Sequence, residues 1–250
     1  MAVDIRINYV EHDLLGRPFG SNGILASMDK YRIDNAILIS GHAVACNFRE
    51  GNAQLLEAIK DNNRLYGYIV VNPNYPEESI EEIRNLGGNH KMVALALFSG
   101  AFRPYPTFDD CEEILNAYRR YVKPVLLYVP HAEAVEAAKE IAAKFPTIQF
   151  VFGSMGGADW KAALNIGKLL NVHMETSGSF DVEKIEEAVA RIGAHRILFG
   201  SDLPISDPAS EIALIRASNI SKDAMIKIFN QNAVRLFRLQ TPSQGEESSG

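Results

Sequence analysis

The sequence predicts an α/β protein with a single domain, a (β/α)8 TIM barrel, and three observations support this fold class. Eight short apolar runs alternate with segments of helical period at a spacing of about 25 to 30 residues, and such alternation implies parallel strands joined by right-handed crossovers. The length of 250 residues is typical of this barrel. The competing open doubly wound sheet lacks its nucleotide signature, because neither GxGxxG after the first strand nor a GxxxxGKS or GxxxxGKT loop occurs.

The eight predicted strands are short runs rich in branched and aromatic residues. The fifth run, Pro124-Val-Leu-Leu-Tyr-Val, is apolar without a break, as expected of a parallel strand covered on both faces. In chain order, the strands are predicted at 3–8, 36–39, 65–71, 92–98, 124–129, 148–152, 171–175 and 196–199. Residues 1–240 are predicted to form the barrel, and the polar residues 241–250 a disordered tail.

Helices are predicted where apolar residues recur on one face between residues that start or stop a helix. Leu55 and Ile59 share one face of the second helix, and Pro76 opens the third. Asp181 caps the seventh helix and Gly193 ends it. The predicted helices span 23–31, 52–61, 77–86, 109–121, 132–144, 159–169, 182–192, 208–217 and 221–236.

Composition and charge narrow the class of partner. The net charge of -6 argues against a nucleic acid held by its phosphates. No segment approaches the roughly 20 apolar residues of a membrane helix, and the amino terminus lacks the apolar stretch of a signal peptide. Cys46 and Cys111 have no CxxC spacing, which argues against a disulfide framework. The sequence therefore predicts a cytoplasmic protein that binds a small molecule, without a nucleic-acid or membrane partner.

Four segments resemble the amidohydrolase-related metal-dependent hydrolases, a family of barrel fold. The most specific is Arg196-Ile-Leu-Phe-Gly-Ser-Asp-Leu-Pro, followed at the expected distance by Asn232-Ala-Val-Arg-Leu-Phe. Phe145-Pro-Thr-Ile-Gln-Phe-Val-Phe-Gly-Ser and Asn171-Val-His-Met-Glu-Thr-Ser-Gly resemble the sixth and seventh strands of the family. The likeness covers nearly the whole chain and is weakest between residues 9 and 30. It implies a hydrolase or lyase acting on a small carboxylated or carbonyl-containing molecule.

The same resemblance implies a metal site that this chain does not reproduce. Family members hold one or two divalent metals through a His-x-His pair on strand one, a His on each of strands five and six, and an Asp on strand eight; some add a lysine on strand four. Here only Asp202 matches, and the other positions hold Arg6 and Asn8, Tyr128, Ser154 and, for the lysine, Ala96. An arginine stays protonated and offers no lone pair, so Arg6 opposes a bound cation. The sequence therefore predicts no metal and no cofactor.

Asp202 and Arg6 are predicted to carry the chemistry, because strands one and eight are neighbours in a closed barrel and active sites lie at the carboxyl ends of the strands. Asp202 would act as acid or base and Arg6 as charge stabiliser. The alternative is that Asp202 is a structural anchor paired with Arg6. The predicted substrate-binding residues are Asn8, Tyr128, Ser154 and Glu175 at strand ends, His42 in a small flexible loop, and Arg103 in the long loop after strand four.

Three functional hypotheses stay open from the sequence. The first is an enzyme that works without a metal. The second is a catalytically inactive barrel kept as a ligand-binding or partner-supporting protein. The third is a displaced metal site built from His42, Cys46 or His131 with Asp202. A homo-oligomer is kept open by analogy with other barrels.

Overall fold

The computed structural model describes residues 2–99, 105–166 and 169–240, and within them the chain forms eight β-strands. Every neighbouring pair is parallel, and the order of the strands in the sheet is their order along the chain. The strands are β1 (Val3–Tyr9), β2 (Asn35–Ser40), β3 (Leu65–Val71), β4 (Met92–Leu97), β5 (Val125–Tyr128), β6 (Phe150–Gly153), β7 (Val172–Glu175) and β8 (Ile197–Leu198).

Helices follow the strands in turn, as the alternation in the sequence requires. Within the described residues they are α1 (Gly20–Tyr31), α2 (Gly41–Ala45), α3 (Phe48–Ile59), α4 (Pro76–Leu86), α5 (Phe108–Tyr118), α6 (Ala132–Lys144), α7 (Trp160–Ala163), α8 (Val182–Ile192), α9 (Pro208–Ala217), α10 (Lys222–Ile226) and α11 (Asn232–Phe237). None of these helices is long and apolar enough to span a membrane.

The sheet returns on itself through the backbone that follows β8. The amide of Ile5 donates to the carbonyl of Phe199 at 3.0 Å, and the amide of Asp202 donates to the carbonyl of Arg6 at 2.8 Å. The amide of Asn8 donates to the carbonyl of Leu203 at 2.7 Å. These bonds place the first strand beside the end of the last, so the predicted (β/α)8 barrel is confirmed.

Two apolar layers hold the barrel together, because successive strand residues point to opposite faces. The inner layer fills the barrel and includes Ile37, Tyr68, Ala96, Leu126 and Val151. The outer layer joins the other face of each strand to the helices. Burial of this apolar surface on both faces explains why the strands read as nearly continuous apolar runs.

Two predicted elements differ from the structure. The segment around His42, predicted as a flexible loop, is the short helix α2, because the Ser40 hydroxyl accepts from the amide of Ala43 at 3.1 Å and caps it. Of the helix predicted at 159–169, the described residues are α-helical over Trp160–Ala163. A tight turn precedes it, and a Cβ on Gly156 would lie 2.4 Å from the Cβ of Ala163, so this close approach needs glycine.

Smaller differences lie at the ends of elements, where capping decides the boundary. The side chain of Asn47 accepts from two backbone amides and starts α3 at Phe48, four residues before its predicted start. The helix predicted at 221–236 is interrupted by a π-helical turn, Lys227–Gln231. Residues 241–250, predicted as a disordered tail, lie outside the described residues. The domain bounds, the homo-oligomer and the cytoplasmic location stay predictions.

Candidate active site

The strand β1 carries two polar side chains, Arg6 and Asn8, to the carboxyl-terminal mouth of the barrel. Ile5 packs in the inner layer, whereas Ile7 packs in the outer layer. The pairing with β2 shifts register between Asp4 and Ile7, and such a bulge redirects side chains at a barrel rim. Arg6 lies within that shift and Asn8 follows it, and both side chains reach Asp202 at the mouth.

Arg6 lies between two carboxylates. Its Nε donates to Oδ1 of Asp202 at 3.2 Å, and its Nη1 is 3.5 Å from Oε2 of Glu175. The side chains of Arg6, Asp202 and Glu175 are 9%, 19% and 0% exposed, so these three groups are largely withdrawn from water. Burial alone would lower the pKa of the guanidinium, but the charges of Glu175 and Asp202 outweigh it and the pKa is raised. Arg6 therefore supplies a permanent positive charge at the mouth.

Asp202 is fixed through one of its two carboxylate oxygens. Asn8 Nδ2 donates to Oδ1 at 2.9 Å, beside the bond from Arg6, and also lies 3.3 Å from the Asp202 carbonyl. Asp202 has a φ of 60°, in the left-handed region that aspartate tolerates better than most residues. Within the described residues, no hydrogen bond to Oδ2 is present. The partly exposed carboxylate is thus oriented by Oδ1 while Oδ2 is available to a ligand.

Glu175 ends β7 and is enclosed behind Arg6. Its Oε2 accepts from the amide of Ser154 at 3.0 Å and from the hydroxyl of Ser177 at 2.9 Å, and its Oε1 accepts from the amide of Ser177. With Arg6, these donors compensate a carboxylate that is shut off from solvent. Glu175 therefore contributes to the mouth indirectly, by holding the guanidinium of Arg6.

Two glycines make room for this buried ion pair. A Cβ on Gly153 would lie 2.6 Å from Nη1 of Arg6, and a Cβ on Gly200 would lie 2.2 Å from Oε1 of Glu175. Both distances are shorter than a side-chain carbon tolerates, so a larger residue at either position would displace the Arg6–Glu175 ion pair.

A second buried carboxyl, that of Asp4, lies below Arg6 on β1. Its Oδ1 accepts from the amide of Arg6 at 3.1 Å and from the amide of Ser201 at 3.0 Å. Burial raises the pKa of Asp4 to about 7. Asp4 thus links the backbone of β1, beside Arg6, to the backbone that precedes Asp202.

A cavity of about 530 Å³ opens at the mouth, and Arg6, Asn8, Tyr128 and Asp202 all line it. The Phe98 and Tyr128 rings stack with centroids 6.2 Å apart and planes at 24°, and the Tyr128 ring centre is 5.7 Å from the guanidinium carbon of Arg6. Its other lining residues are Val10, His12, Asp13, Leu14, Gly41, Val44, Pro204 and Ile205. This mouth cavity combines an aromatic wall with a charged cluster.

Three predicted residues that the structure describes, Ser154, Glu175 and His42, do not line the mouth cavity. Ser154 and Glu175 lie behind Arg6, where the Ser154 hydroxyl is 3.3 Å from that of Ser177. His42 points away, with its Nε2 3.4 Å from the carboxylate of Glu50. Arg103 lies outside the described residues. Binding roles for these residues stay predictions.

Sequence reasoning missed His12 and Phe98 as lining residues. His12 stands in the irregular segment after β1, which has no periodicity to place it. Phe98 directly follows β4, and its position at a strand end was the available signal.

The residues at the mouth differ from the ligands that a divalent metal requires. Within the described ranges, no group of three or more His, Cys, Asp and Glu side chains could hold a metal ion. The displaced site considered from the sequence is not assembled there either: the His131 ring packs edge-on against Tyr105, and Cys46 is exposed. A guanidinium between the carboxylates offers no lone pair. The donor set therefore does not fit the metal that the family resemblance implies.

The family model described as Amidohydrolase matches residues 14–239. A relative, the gamma-resorcylate decarboxylase of Rhizobium sp. (strain MTP-10005), is 38% identical over 69 residues, which are 28% of this chain and 21% of that protein. The match thus spans about a fifth of the relative's length.

Solved structures share the barrel. The structure of 2,6-dihydroxybenzoate decarboxylase complexed with 2,6-dihydroxybenzoate has a TM-score of 0.75 at 18% identity and covers 96% of this chain and 98% of that one. A dihydroxybenzoic acid decarboxylase from Polaromonas sp. JS666, with bound manganese and the inhibitor 2-nitroresorcinol, has a TM-score of 0.76 at 18% identity and covers 95% and 96%. Because the family model extends over most of its length, the chain belongs to the amidohydrolase family.

Proposed function

We propose that this chain is a lyase that removes the carboxyl group of a small aromatic carboxylate in the mouth cavity. One observation carries the proposal: Arg6, Asn8 and Asp202 meet beside the stacked rings of Phe98 and Tyr128 on a single open cavity. The aromatic wall suits a flat ring, and the charged cluster suits its polar substituents. The decarboxylases among the similar proteins support this choice within the predicted hydrolases and lyases.

Asp202 is the proposed acid–base group. In its protonated form it delivers a proton to the ring carbon that bears the carboxylate. The bond from that carbon to the carboxylate then breaks, its electron pair restores the aromatic ring, and carbon dioxide leaves. Arg6 stabilises the Asp202 carboxylate that the transfer creates, and water returns the proton afterwards. Bonds from Arg6 and Asn8 to Oδ1 leave Oδ2 as the oxygen for this exchange.

The proposed reaction uses the guanidinium of Arg6 in place of a metal ion. Its position between Glu175 and Asp202 supports this, because it brings a fixed positive charge to the strand ends. Elemental analysis of the purified protein is expected to find no stoichiometric zinc or manganese. A metal present at one equivalent per chain would contradict this part of the proposal.

The activity is tested by incubating the protein with hydroxylated benzoates and measuring carbon dioxide release and loss of the aromatic acid absorbance. Asp202→Asn is expected to lower turnover by about 100-fold or more, because it removes the acid–base group. Asp61→Asn is the matched control, since Asp61 is exposed and does not line the mouth cavity. Absence of turnover across the panel, or turnover that survives Asp202→Asn, would contradict the proposal.

Ligand binding without turnover is the second candidate function. The contacts between Arg6 and the carboxylates of Glu175 and Asp202 favour this second candidate. They compensate the charges of all three residues without any substrate. Calorimetry separates the two candidates, since an aromatic carboxylate that binds without being decarboxylated points to a binding protein.

A further inference from the structure

A second cavity, of about 520 Å³, lies at the opposite end of the barrel, where β5 to β8 begin. Among the described residues that line it, no Asp or Glu is present, although the chain carries a net charge of -6. Two histidines, His173 and His195, also line it. Its basic lining residues are Arg119, Lys123, Arg196, Arg235 and Arg238. We refer to this second cavity, with these lining residues, as the basal cavity.

Two of the five basic side chains have a structural use. Lys123 and Arg196 donate to carbonyls at the ends of neighbouring helices and loops, where partial negative charge accumulates. Lys123 Nζ donates to the carbonyls of Gly87, Asn89 and Met92 at 2.7, 2.9 and 2.8 Å. Arg196 donates to the carbonyls of Ile192 and Leu169 at 3.1 and 2.8 Å. These two residues are therefore explained by the fold.

The other three arginines keep unused donors. Arg119 and Arg238 are exposed, and their guanidinium groups make no hydrogen bond or ion pair within the described part of the chain. Arg235 donates once, from Nη2 to the carbonyl of His195 at 3.1 Å. A guanidinium has five N–H groups, so these three arginines bring many donors to one concavity, where the described lining holds no carboxylate.

The two histidines of the basal cavity are buried to different extents and lie near the same arginines. His173 is 7% exposed, and burial together with Arg196 and Arg235 lowers its pKa to about 4. Its Nδ1 is buried and has no hydrogen-bond partner among the described residues. Burial and the same two arginines also lower the pKa of His195.

We propose that the basal cavity binds a small anion with two or more negative charges, a phosphate compound or a polycarboxylate, through Arg119, Arg235 and Arg238. Guanidinium groups match the paired oxygens of phosphate and carboxylate. The volume is that of a small-molecule site. The proposal does not rest on the activity at the mouth, which lies at the other end of the barrel.

The test is calorimetric titration of the full-length protein at low salt with inorganic pyrophosphate and, separately, with citrate. Binding of one and not the other identifies phosphate or carboxylate as the ligand chemistry. Arg119→Gln/Arg238→Gln is expected to weaken binding about tenfold or more, since it removes two charged donors. Arg84→Gln/Arg216→Gln is the matched control, because it removes the same charge from exposed positions outside the basal cavity.

A second readout is the imidazole of His195, followed by NMR titration with and without the anion. A bound anion offsets the neighbouring arginines and is expected to raise the pKa of His195. Three results would overturn the proposal: no binding of either anion, equal affinity in the two double variants, or a His195 titration that the bound anion leaves unchanged.

Discussion

The arginines at the two ends of the barrel differ in burial and in ion pairing. At the mouth, Arg6 is nearly buried and contacts two carboxylates, and glycines at 153 and 200 leave the space that this requires. At the base, Arg119 and Arg238 are exposed, and their guanidinium groups have no partner within the described residues. Burial makes the difference, because a charge removed from water needs compensation and a solvated one does not. Arg6 is therefore held by its partners in the fold, whereas the guanidinium groups of Arg119 and Arg238 keep free donors.

The largest effect is expected from breaking the buried cluster with Arg6→Met. The variant keeps an unbranched chain close in length to the aliphatic part of arginine but leaves Glu175 enclosed without its cation. The free energy of unfolding, measured with urea, is expected to fall by about 3 to 5 kcal/mol, the usual loss when one partner of a buried pair is removed.

Arg17→Met is the control for this variant. Arg17 also pairs with an aspartate, at 2.6 Å, but its side chain is 71% exposed, so its replacement is expected to leave stability within experimental error. Adding Glu175→Gln to Arg6→Met is expected to recover part of the loss, because it removes the uncompensated charge. Equal stability of the Arg6→Met and Arg17→Met proteins would show that burial does not distinguish these arginines.

A smaller effect is expected from the carboxyl below Arg6. The pKa of Asp4 is raised from 3.8 to about 7 by burial, so the folded state holds this proton more tightly than the unfolded state. Asp4 therefore favours folding fully below pH 3.8, and this contribution is lost as the pH rises to about 7. Over that window the wild-type free energy of unfolding is expected to decline, by about 4 kcal/mol at most for Asp4.

Asp4→Asn tests this window, since asparagine keeps an Oδ1 acceptor for the amides of Arg6 and Ser201. Urea unfolding between pH 4 and 7 is expected to show a shallower decline than in the wild type or in the exposed control Asp61→Asn. A residual slope is expected to extend towards pH 8, because burial raises the pKa of Glu211 to about 8. Identical pH profiles for the Asp4→Asn and wild-type proteins would contradict the assignment.

The fold could be predicted from the sequence because apolar runs and helical periods depend directly on which residues are buried. All eight strands were predicted from these two patterns. The predicted ends of helices are wrong where a side chain caps the helix or a close contact interrupts it. The strand predicted at 196–199 is hydrogen-bonded as a strand only over Ile197–Leu198, because the backbone beyond it turns to pair with β1. Such pairings depend on contacts distant in the sequence.

The candidate active site could be predicted from the sequence only in part. Neighbouring strands in a closed barrel predicted that Arg6 and Asp202 could face each other, and their atoms lie 3.2 Å apart. The enclosure of Glu175 behind Arg6 depends on space left by glycines, and the position of His12 depends on an irregular loop. Neither feature has a periodic signature in the sequence.

The smallest effect is expected at the base, where Arg119→Gln/Arg238→Gln removes two exposed charges that lie near other cations. Without a bound anion, the free energy of unfolding is expected to rise by no more than about 0.5 kcal/mol, because like charges repel and no contact is lost. Added salt should shrink this gain, since it screens exposed charges. Urea unfolding at low and high salt measures it, with Arg84→Gln/Arg216→Gln as control. A loss of stability comparable to that of Arg6→Met would mean that the basal arginines, like the one at the mouth, are held by the fold.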